Sequence, residues 1–295
     1  MRELVAPVEV PVIVGIDDSE LSFAALRNAT RQITAQHRRM RLVHAFNWVG
    51  TPGADGDVAW SAADLNGLME RAVQAVREVA PEIDVETELV QGSAVVALTR
   101  NAEYATAVVL GGRRNDISEV VPWDSLTVQV ASRAACPVLV VRPEPPPADA
   151  PLLVGVDGSH MSELALAWAV EVASYQHASV VAVQVRDQEW EQDRREGIRL
   201  DELRVVVERL QPDYPDVPIE QRILTGEPGP ELLAAAEEAQ LVLVGPRGSQ
   251  PSRGMLGEVS QTVLYHSRAP VLIVRGRRVS AVGSRYQNET TRTRS

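Results

Sequence analysis

Two segments of this chain place an aspartate directly after a β-branched run, and two others place a glycine there. The aspartates are Asp17, in Gly-Ile-Asp-Asp-Ser, and Asp157, in Gly-Val-Asp-Gly-Ser. The glycines begin the segments Gly111-Gly-Arg-Arg and Gly245-Pro-Arg-Gly. A glycine lets backbone N–H groups approach an anion closely, and a helix that follows presents its N-terminus to that anion. The glycines therefore predict either an anion-binding loop or a tight turn, and the aspartates are placed to cap a following helix.

These segments come in pairs because the chain repeats itself. Residues 11–19 match residues 151–159 at an offset of 140, and residues 136–142 match residues 269–275 at an offset of 133. Insertions and deletions in loops explain the change of offset. The proline-rich stretch 143–151 joins the two copies, because prolines favour an extended spacer and cannot pair in a sheet. We predict a first domain at 1–144, a second at 145–276, and a disordered tail at 277–295 that carries five arginines and one acid.

Short apolar runs and helical patterns alternate in the same order in both repeats. This order predicts an α/β fold in which each repeat has a five-stranded, parallel, doubly wound (Rossmann-like) sheet with ligands at the carboxyl ends of the strands. The predicted strands are Val10–Ile16, Met40–Phe46, Asp84–Gln91, Ala107–Leu110 and Val138–Val141, then Leu152–Val156, Ser179–Val185, Pro218–Leu224, Leu241–Val244 and Val271–Val274. The predicted helices are Glu20–Thr34, Ala62–Ala80, Ala94–Ala105 and Leu126–Ser132, then Met161–Tyr175, Gln192–Leu210, Pro230–Ala239 and Val259–His266.

The composition excludes several classes of protein. A single cysteine, Cys136, excludes a disulfide framework and a Cys/His zinc site, and we expect it to be an inert packed thiol. Every one of the 29 basic residues is arginine, so the lysine of a P-loop or of Schiff-base chemistry is missing. The net charge of −11 opposes binding to nucleic acid or anionic lipid. With no apolar run of about 20 residues and no signal-peptide pattern at the start, we expect a cytoplasmic protein without metal or membrane contact.

The ordered set of motifs resembles the universal stress protein family. The resemblance is carried by the Asp17 and Asp157 segments, by the Gly111 and Gly245 segments, and by the Cys-Pro or Ala-Pro before each final strand, and it covers residues 8–276 twice. It implies a fold like that of the adenine nucleotide alpha hydrolases. In the ATP-binding members of this family, a Gly-two-Gly-nine-Gly-Ser/Thr pattern wraps the phosphates and the aspartate lies beside the ribose. The residue after a histidine on the second strand offers its backbone to adenine.

In repeat one the pattern is partly lost. Its family positions fall on Asp17, on Ala45 after His44, on Gly111 and on Ser125. The second and third glycine positions hold Arg114 and Asp124. Asp116, Glu119 and Asp124 also place carboxylates where phosphate would lie, and like charges in a partly dry loop repel one another by on the order of 1 kcal/mol or more. We therefore predict poor ATP binding by this repeat, and we expect His44 to be a core histidine.

Repeat two keeps more of the pattern. Its predicted site residues are Asp157, Val185, Val244, Gly245, Arg247, Gly248, Gly257, Glu258 and Val259. However, Gln184 replaces the usual histidine, and eight residues separate Gly248 from Gly257 where the family has nine. Glu258 stands where Ser or Thr is expected and could cap its own helix, occupying N–H groups that a phosphate would use. Against this, Arg247 and Arg253 offer charge-assisted donors.

These residues support three hypotheses about function. The first is a non-catalytic stress-response protein that binds ATP or a related adenine nucleotide, mainly through repeat two. The alternative is a nucleotide-free scaffold with degenerate sites, and a slow ATPase is the third, although no motif in the sequence positions a water for attack on phosphorus. For assembly, the two final strands are expected to be edge strands of their repeats, and unpaired edges seek partners. We predict that they pair within the chain as an internal pseudo-dimer, with a homodimer as an open further step.

Overall fold

The computed structural model describes residues 10–34, 39–46, 61–112, 125–147, 149–186, 202–247 and 255–276. In the first repeat these form β1 (Val12–Gly15), α1 (Glu20–Thr34), β2 (Met40–Phe46), α2 (Ala62–Val79), β3 (Val85–Gln91), α3 (Ala94–Asn101), β4 (Ala107–Gly111), α4 (Leu126–Arg133) and β5 (Val138–Val141). In the second they form β6 (Leu152–Gly155), α5 (His160–Gln176), β7 (Val180–Arg186), α6 (Glu202–Leu210), β8 (Ile219–Thr225), α7 (Pro228–Ala236), β9 (Leu241–Val244), α8 (Glu258–His266) and β10 (Val271–Ile273). Short 3₁₀ turns follow α3 and α6.

All ten of these strands belong to one sheet, in the order β3-β2-β1-β4-β5-β10-β9-β6-β7-β8. Within each repeat the neighbouring strands are parallel. The predicted α/β fold with two doubly wound repeats is therefore confirmed. Three helices end earlier than predicted. Helix α2 ends one residue early, at Val79, and α7 three residues early, at Ala236. Helix α3 ends at Asn101, and a 3₁₀ turn at Ala102–Tyr104 takes up most of the rest of its predicted span, a common way for the last turn of a helix to tighten. The predicted helix at 192–210 is described from Glu202 onward.

The two repeats meet at an antiparallel strand pair, β5 with β10. Val138 lies opposite Ile273, Leu139 opposite Leu272, and Val140 opposite Val271. Leu139 and Leu272 occupy the same position of the repeat, so a pseudo-two-fold axis passes between them. This is the internal pairing that the sequence predicted. It covers the final strand of each repeat and leaves β3 and β8 as the edges of the described sheet.

Apolar layers cover both faces of the sheet and run across the seam between the repeats. Alternate residues of one strand enter different layers, because side chains in a strand point to opposite faces. Val14 packs in the layer formed with α1, α2, α5 and α6, whereas Ile13 packs in the layer formed with α3, α4, α7 and α8. Strands that are buried on both faces explain the continuous apolar runs of the sequence.

Two equivalent arginines cross the seam in opposite directions. Nη2 of Arg142, at the end of β5, donates to the carbonyl of Leu264 in α8 at 2.7 Å. Nη1 of Arg275, after β10, donates to the carbonyl of Ala131 in α4 at 2.5 Å. Arg275 and Leu264 each lie 133 positions after Arg142 and Ala131, so the two contacts are one contact repeated by the pseudo-two-fold axis. The burial differs, because Arg142 is 1% exposed whereas Arg275 is only half-buried.

Among the helices that the structure describes, none is long and apolar enough to cross a membrane.

Candidate functional site

The predicted site residues lie at the carboxyl ends of adjacent central strands. Asp17 follows β1 and Gly111 ends β4, and these two strands pair directly. Asp157 follows β6 and Gly245 follows β9, which pair in the same way. In both repeats the chain turns to opposite sides of the sheet at this point, and a doubly wound fold binds its ligands at such a switch point.

The two aspartates share one local geometry. Oδ1 of Asp17 accepts from the backbone N–H of Ser19 at 3.0 Å and from its hydroxyl at 2.5 Å. The hydroxyl oxygen of Ser19 in turn accepts from the N–H of Ser22 at 3.1 Å, so the serine caps α1. Asp157 holds Ser159 with 3.0 and 2.6 Å contacts, and Ser159 caps α5. The serines therefore cap α1 and α5, where the sequence had suggested the aspartates. Within the described residues the second carboxylate oxygen of each aspartate makes no hydrogen bond.

Repeat one contains a cavity of about 200 Å³ at these strand ends. Three of its predicted site residues, Asp17, Ala45 and Gly111, line this cavity together, and Leu126, which follows Ser125, lines it as well. His44 also reaches it, and His44 Nδ1 donates to the carbonyl of Ile16 at 2.7 Å. That bond places the imidazole proton on Nδ1, because a carbonyl oxygen only accepts. His44 is therefore buried and hydrogen-bonded, as expected of a core histidine.

In repeat two the described ends of the loop between β9 and α8 hold each other. The N–H of Gly257 donates to the carbonyl of Pro246 at 2.8 Å, and the hydroxyl of Ser260 donates to the carbonyl of Gly245 at 2.7 Å. The guanidinium of Arg247 donates to the carbonyl of Met255. These bonds bring Gly245, Arg247 and Gly257 together as predicted. Gly248 and Arg253 lie outside the described residues.

The helix that follows each loop begins without a side-chain cap. Gly257, the N-cap of α8, has no side chain that could accept a hydrogen bond from the first turn. Ser125, the N-cap of α4, has a hydroxyl but accepts no such bond. The hydroxyl of Ser125 pairs instead with that of Thr127 at 2.8 Å. The cap expected from Glu258 does not form, because Glu258 is the first helical residue, whereas a capping-box glutamate stands at the third. First-turn N–H groups without a side-chain acceptor are suited to binding an anion.

Sequence reasoning did not single out Arg275, whose charge interacts with that of Arg247 in the loop of repeat two. Burial lowers the pKa of Arg275, and the positive charge of nearby Arg247 lowers it further. Both side chains are half-buried, and two like charges in such surroundings favour an anion between them. The repeat of Arg142 at Arg275, after the final strand of each copy, could have drawn attention to this residue. Only the tertiary structure shows that Arg275 contacts the carbonyl of Ala131 and that its charge interacts with that of Arg247.

A buried polar pair lies on either side of Val185, the predicted adenine contact. Nε and Nη2 of Arg186 donate to Oε1 of Gln184 at 3.2 and 2.7 Å, and both side chains are buried. Gln184 and Arg186 stand where repeat one has His44 and Phe46. The side chains on either side of the predicted base contact are therefore an amide and a guanidinium in repeat two, and an imidazole and a phenyl ring in repeat one.

The model described as the universal stress protein family matches the chain twice, at residues 11–142 and 150–275. The chain belongs to the universal stress protein family. The two matches contain both candidate sites, including the switch-point aspartates and the loops that precede α4 and α8.

Similar universal stress proteins match this chain over nearly their whole length. Universal stress protein Rv2623 of Mycobacterium tuberculosis is 33% identical over 284 residues, which is 90% of this chain and 96% of that protein. Universal stress protein Rv2005c of the same organism is 30% identical over 285 residues, again 90% and 96% of the two chains. A crystal structure of a universal stress protein from Archaeoglobus fulgidus superimposes with a TM-score of 0.67 over 91% of this chain and 99% of that one. At 20% identity this likeness concerns the fold alone.

The cysteine of this universal stress protein lies away from the site chemistry. Burial raises the pKa of the Cys136 thiol to about 12. Because the folded-state pKa is raised, its contribution to stability is complete below the unfolded pKa of about 8.5 and is lost as the pH rises towards the folded value. We expect the native protein at pH 8 to react with Ellman's reagent far more slowly than the protein in denaturant. Equal rates in the two samples would contradict this burial.

Proposed function

We propose that this chain is a non-catalytic stress-response protein that binds ATP or a related adenine nucleotide, mainly through repeat two. The observation that carries the proposal is the start of α8, where first-turn N–H groups without a side-chain cap lie close to Arg247, whose charge also interacts with that of Arg275. Helix N-termini and guanidinium groups are the donors that proteins use for phosphate.

The ribose and base have candidate partners at the same edge of the sheet. One carboxylate oxygen of Asp157 is held by Ser159, and the other is placed to accept from sugar hydroxyls. Val185 is the last residue but one of β7, the strand that pairs with β6, and would supply backbone groups for the base. Val244, Gly245 and Val259 complete the proposed site as its backbone frame, with Gly248 in the loop between them.

The non-catalytic part of the proposal rests on the acidic residues of the site. Oδ1 of Asp157 is used to orient Ser159, and Glu258 is exposed and makes no hydrogen bond with any described residue. Among the described residues, no histidine or second acid holds either carboxylate in the way that a general base for hydrolysis is usually held.

The nucleotide-free scaffold has one specific observation in its favour. The N–H of Gly257 already donates to the carbonyl of Pro246, and Nε of Arg247 already donates to the carbonyl of Met255. A phosphate would have to compete with those contacts or use the remaining donors of α8 and Arg275.

Isothermal titration of ATP into the full chain tests the proposal directly. We expect saturable binding and no release of inorganic phosphate above the rate in buffer. Nucleotide that is released when the purified protein is denatured, and identified by mass, would support the same conclusion. Silence in the titration at millimolar ATP, together with no copurifying nucleotide, would favour the scaffold, and steady phosphate release would favour the ATPase.

A further inference from the structure

We propose that the groove between α1 and α2 of repeat one is the docking site of the chain's own arginine-rich segment, residues 277–295. The groove is open and measures about 1320 Å³. It lies between the outer helices of repeat one, so the proposal does not depend on nucleotide binding. It rests on the lining of the groove, on its absence of counterpart charges in repeat two, and on the charge and reach of the segment.

The groove combines an apolar floor with an acidic rim. The apolar residues that line it are Leu21, Phe23 and Ala24 of α1, Ala75 of α2, and Pro143 after β5. Asn28 of α1 fixes the end of the groove at Pro143, because its Nδ2 donates to the carbonyls of Arg142 and Pro143 at 2.8 and 3.2 Å. The floor is therefore held in place by the main chain that leaves β5.

The rim carries four carboxylates and two guanidinium groups, those of Asp18, Glu20, Glu70, Glu78, Arg27 and Arg71. Arg71 is paired with Asp18 at 2.5 Å. Glu20 and Glu70 are exposed and form no hydrogen bond or ion pair with any described residue. Glu78 accepts only from Nε2 of Gln74, at 3.4 Å. Three carboxylates of the rim are thus available to an arginine-bearing segment.

Repeat two lacks this acidic rim. Val85 and Ile219 begin their strands in the same register, so α2 and α6 correspond at an offset of 134, whereas α1 and α5 correspond at 140. The four acidic positions of the rim then hold Gly158, His160, Arg204 and Pro212.

The floor differs between the repeats as well. Where repeat one has Phe23 and Ala75, repeat two has Glu163 and Arg209, which form an ion pair of 2.8 Å between α5 and α6. An open, acidic groove is therefore particular to repeat one and is not a property that the shared fold imposes on both copies.

The segment 277–295 has the complementary charge. It carries five arginines and one acid in a chain whose net charge is −11. A single exposed ion pair stabilises little. Several pairs formed by a tethered segment are more effective, because the tether raises the local concentration to about the millimolar range.

The segment leaves the fold beside repeat one. Gly276 has a φ of 74°, in the region that favours glycine, and a Cβ there would overlap the carbonyl oxygen of Ala135. Ala135 and Pro143 are eight residues apart along the chain and so are separated by at most about 29 Å. Extended, the nine residues from 277 to 285 span about 30 Å. The arginines with sufficient reach are Arg285, Arg292 and Arg294.

Distances between two nitroxide labels on the full chain test the docking. One label is placed at Asn66→Cys, on the exposed stripe of α2 that continues through Glu70, and the other at Gln287→Cys in the segment. The buried thiol of Cys136 can stay in place. We expect a narrow population of short distances. Its share should fall at least about threefold when three rim charges are removed together by Glu20→Gln, Glu70→Gln and Glu78→Gln.

A charge-matched control removes three exposed carboxylates from the opposite layer of helices, by Glu103→Gln, Glu227→Gln and Glu238→Gln. It should leave the distances unchanged, and thermal melting by circular dichroism checks that both triple variants fold. Without labels, trypsin should cleave after Arg285 about fivefold faster in the rim variant than in the wild type or the control, because cleavage tracks the undocked population.

Three results would overturn the docking within the chain. The first is the same distance distribution in the wild type and the folded rim variant. The second is an equal loss of the short distances in the matched control, which would show a general effect of charge. The third is a short distance in a mixture of chains that each carry only one of the two labels, because the groove would then hold the segment of a second copy. A failure of ATP to bind leaves all of these results unaffected.

Discussion

Arg142→Ala should lower the free energy of unfolding by about 2–4 kcal/mol, the range for removing a large, fully buried side chain together with a buried hydrogen bond. Arg142 is among the largest of the fully buried side chains in the described core. Its loss leaves a space beneath Gly112 and removes the donor to the carbonyl of Leu264 in the other repeat. Because the sheet and its two cores run across the seam, we expect a single unfolding transition at lower denaturant, measured by circular dichroism.

Three further variants separate the causes of this loss. Arg142→Met fills most of the space but cannot donate, so its cost should be smaller. Arg275→Ala removes the equivalent contact from a half-buried position and should also cost less. Arg133→Ala, on the exposed face of α4, should change stability by less than about 0.5 kcal/mol. A stability of Arg142→Ala within that same margin of the wild type would show that the contact across the seam does not stabilise the fold.

Gly257→Asp should reduce the affinity of repeat two for ATP at least tenfold, or about 1.4 kcal/mol, while leaving the fold intact. Aspartate is a favoured N-cap, so its carboxylate would accept from the same first-turn N–H groups that the proposed phosphate uses. It would also place negative charge at the anion site. The backbone of Gly257 is extended, with φ −67° and ψ 157°, so a side chain causes no backbone strain. In the proposed alignment of the repeats, this substitution installs the residue that repeat one carries at Asp124.

Gly257→Ala is the control that separates charge from bulk. A Cβ at this position would lie 3.3 Å from Cα of Arg247, which requires a shift of a few tenths of an ångström. We expect this variant to bind ATP within about threefold of the wild type. If it loses as much affinity as Gly257→Asp, the loss comes from crowding of the loop. If Gly257→Asp binds ATP as well as the wild type, the start of α8 is not the phosphate site.

Local patterns were sufficient to predict most of the fold. The alternation of β-branched runs with helical patterns gave the described strands and helices to within a few residues at their ends. Strand β2 begins at Met40 and ends at Phe46 as predicted, and helix α1 spans Glu20–Thr34 as predicted. These elements are predictable because their apolar periodicity is set by burial on one or both faces. The switch-point positions of Asp17 and Asp157 followed from the same pattern and the handedness of crossovers.

The candidate site was less predictable, because its contacts join residues that are far apart in the chain. Glu258 stands where the family pattern has Ser or Thr, and we considered that it could cap its own helix, but it is the first helical residue of α8 and that bond is not formed. The interaction between the charges of Arg275 and Arg247 joins two separate segments and has no local signature. The sequence favoured repeat two as the nucleotide site, and a cavity of about 200 Å³ also lies at the predicted positions of repeat one.

The sequence by itself determined that this chain holds two copies of one α/β unit, since composition and periodicity report which residues are buried and in which element. Only the tertiary structure decided what each copy has at its ligand edge. The same repeat position gives a fully buried Arg142 in one copy and a half-buried Arg275 beside a second arginine in the other. Charge and exposure at a site depend on how distant segments pack together, and that packing is not encoded in the spacing of residues along a single strand or helix.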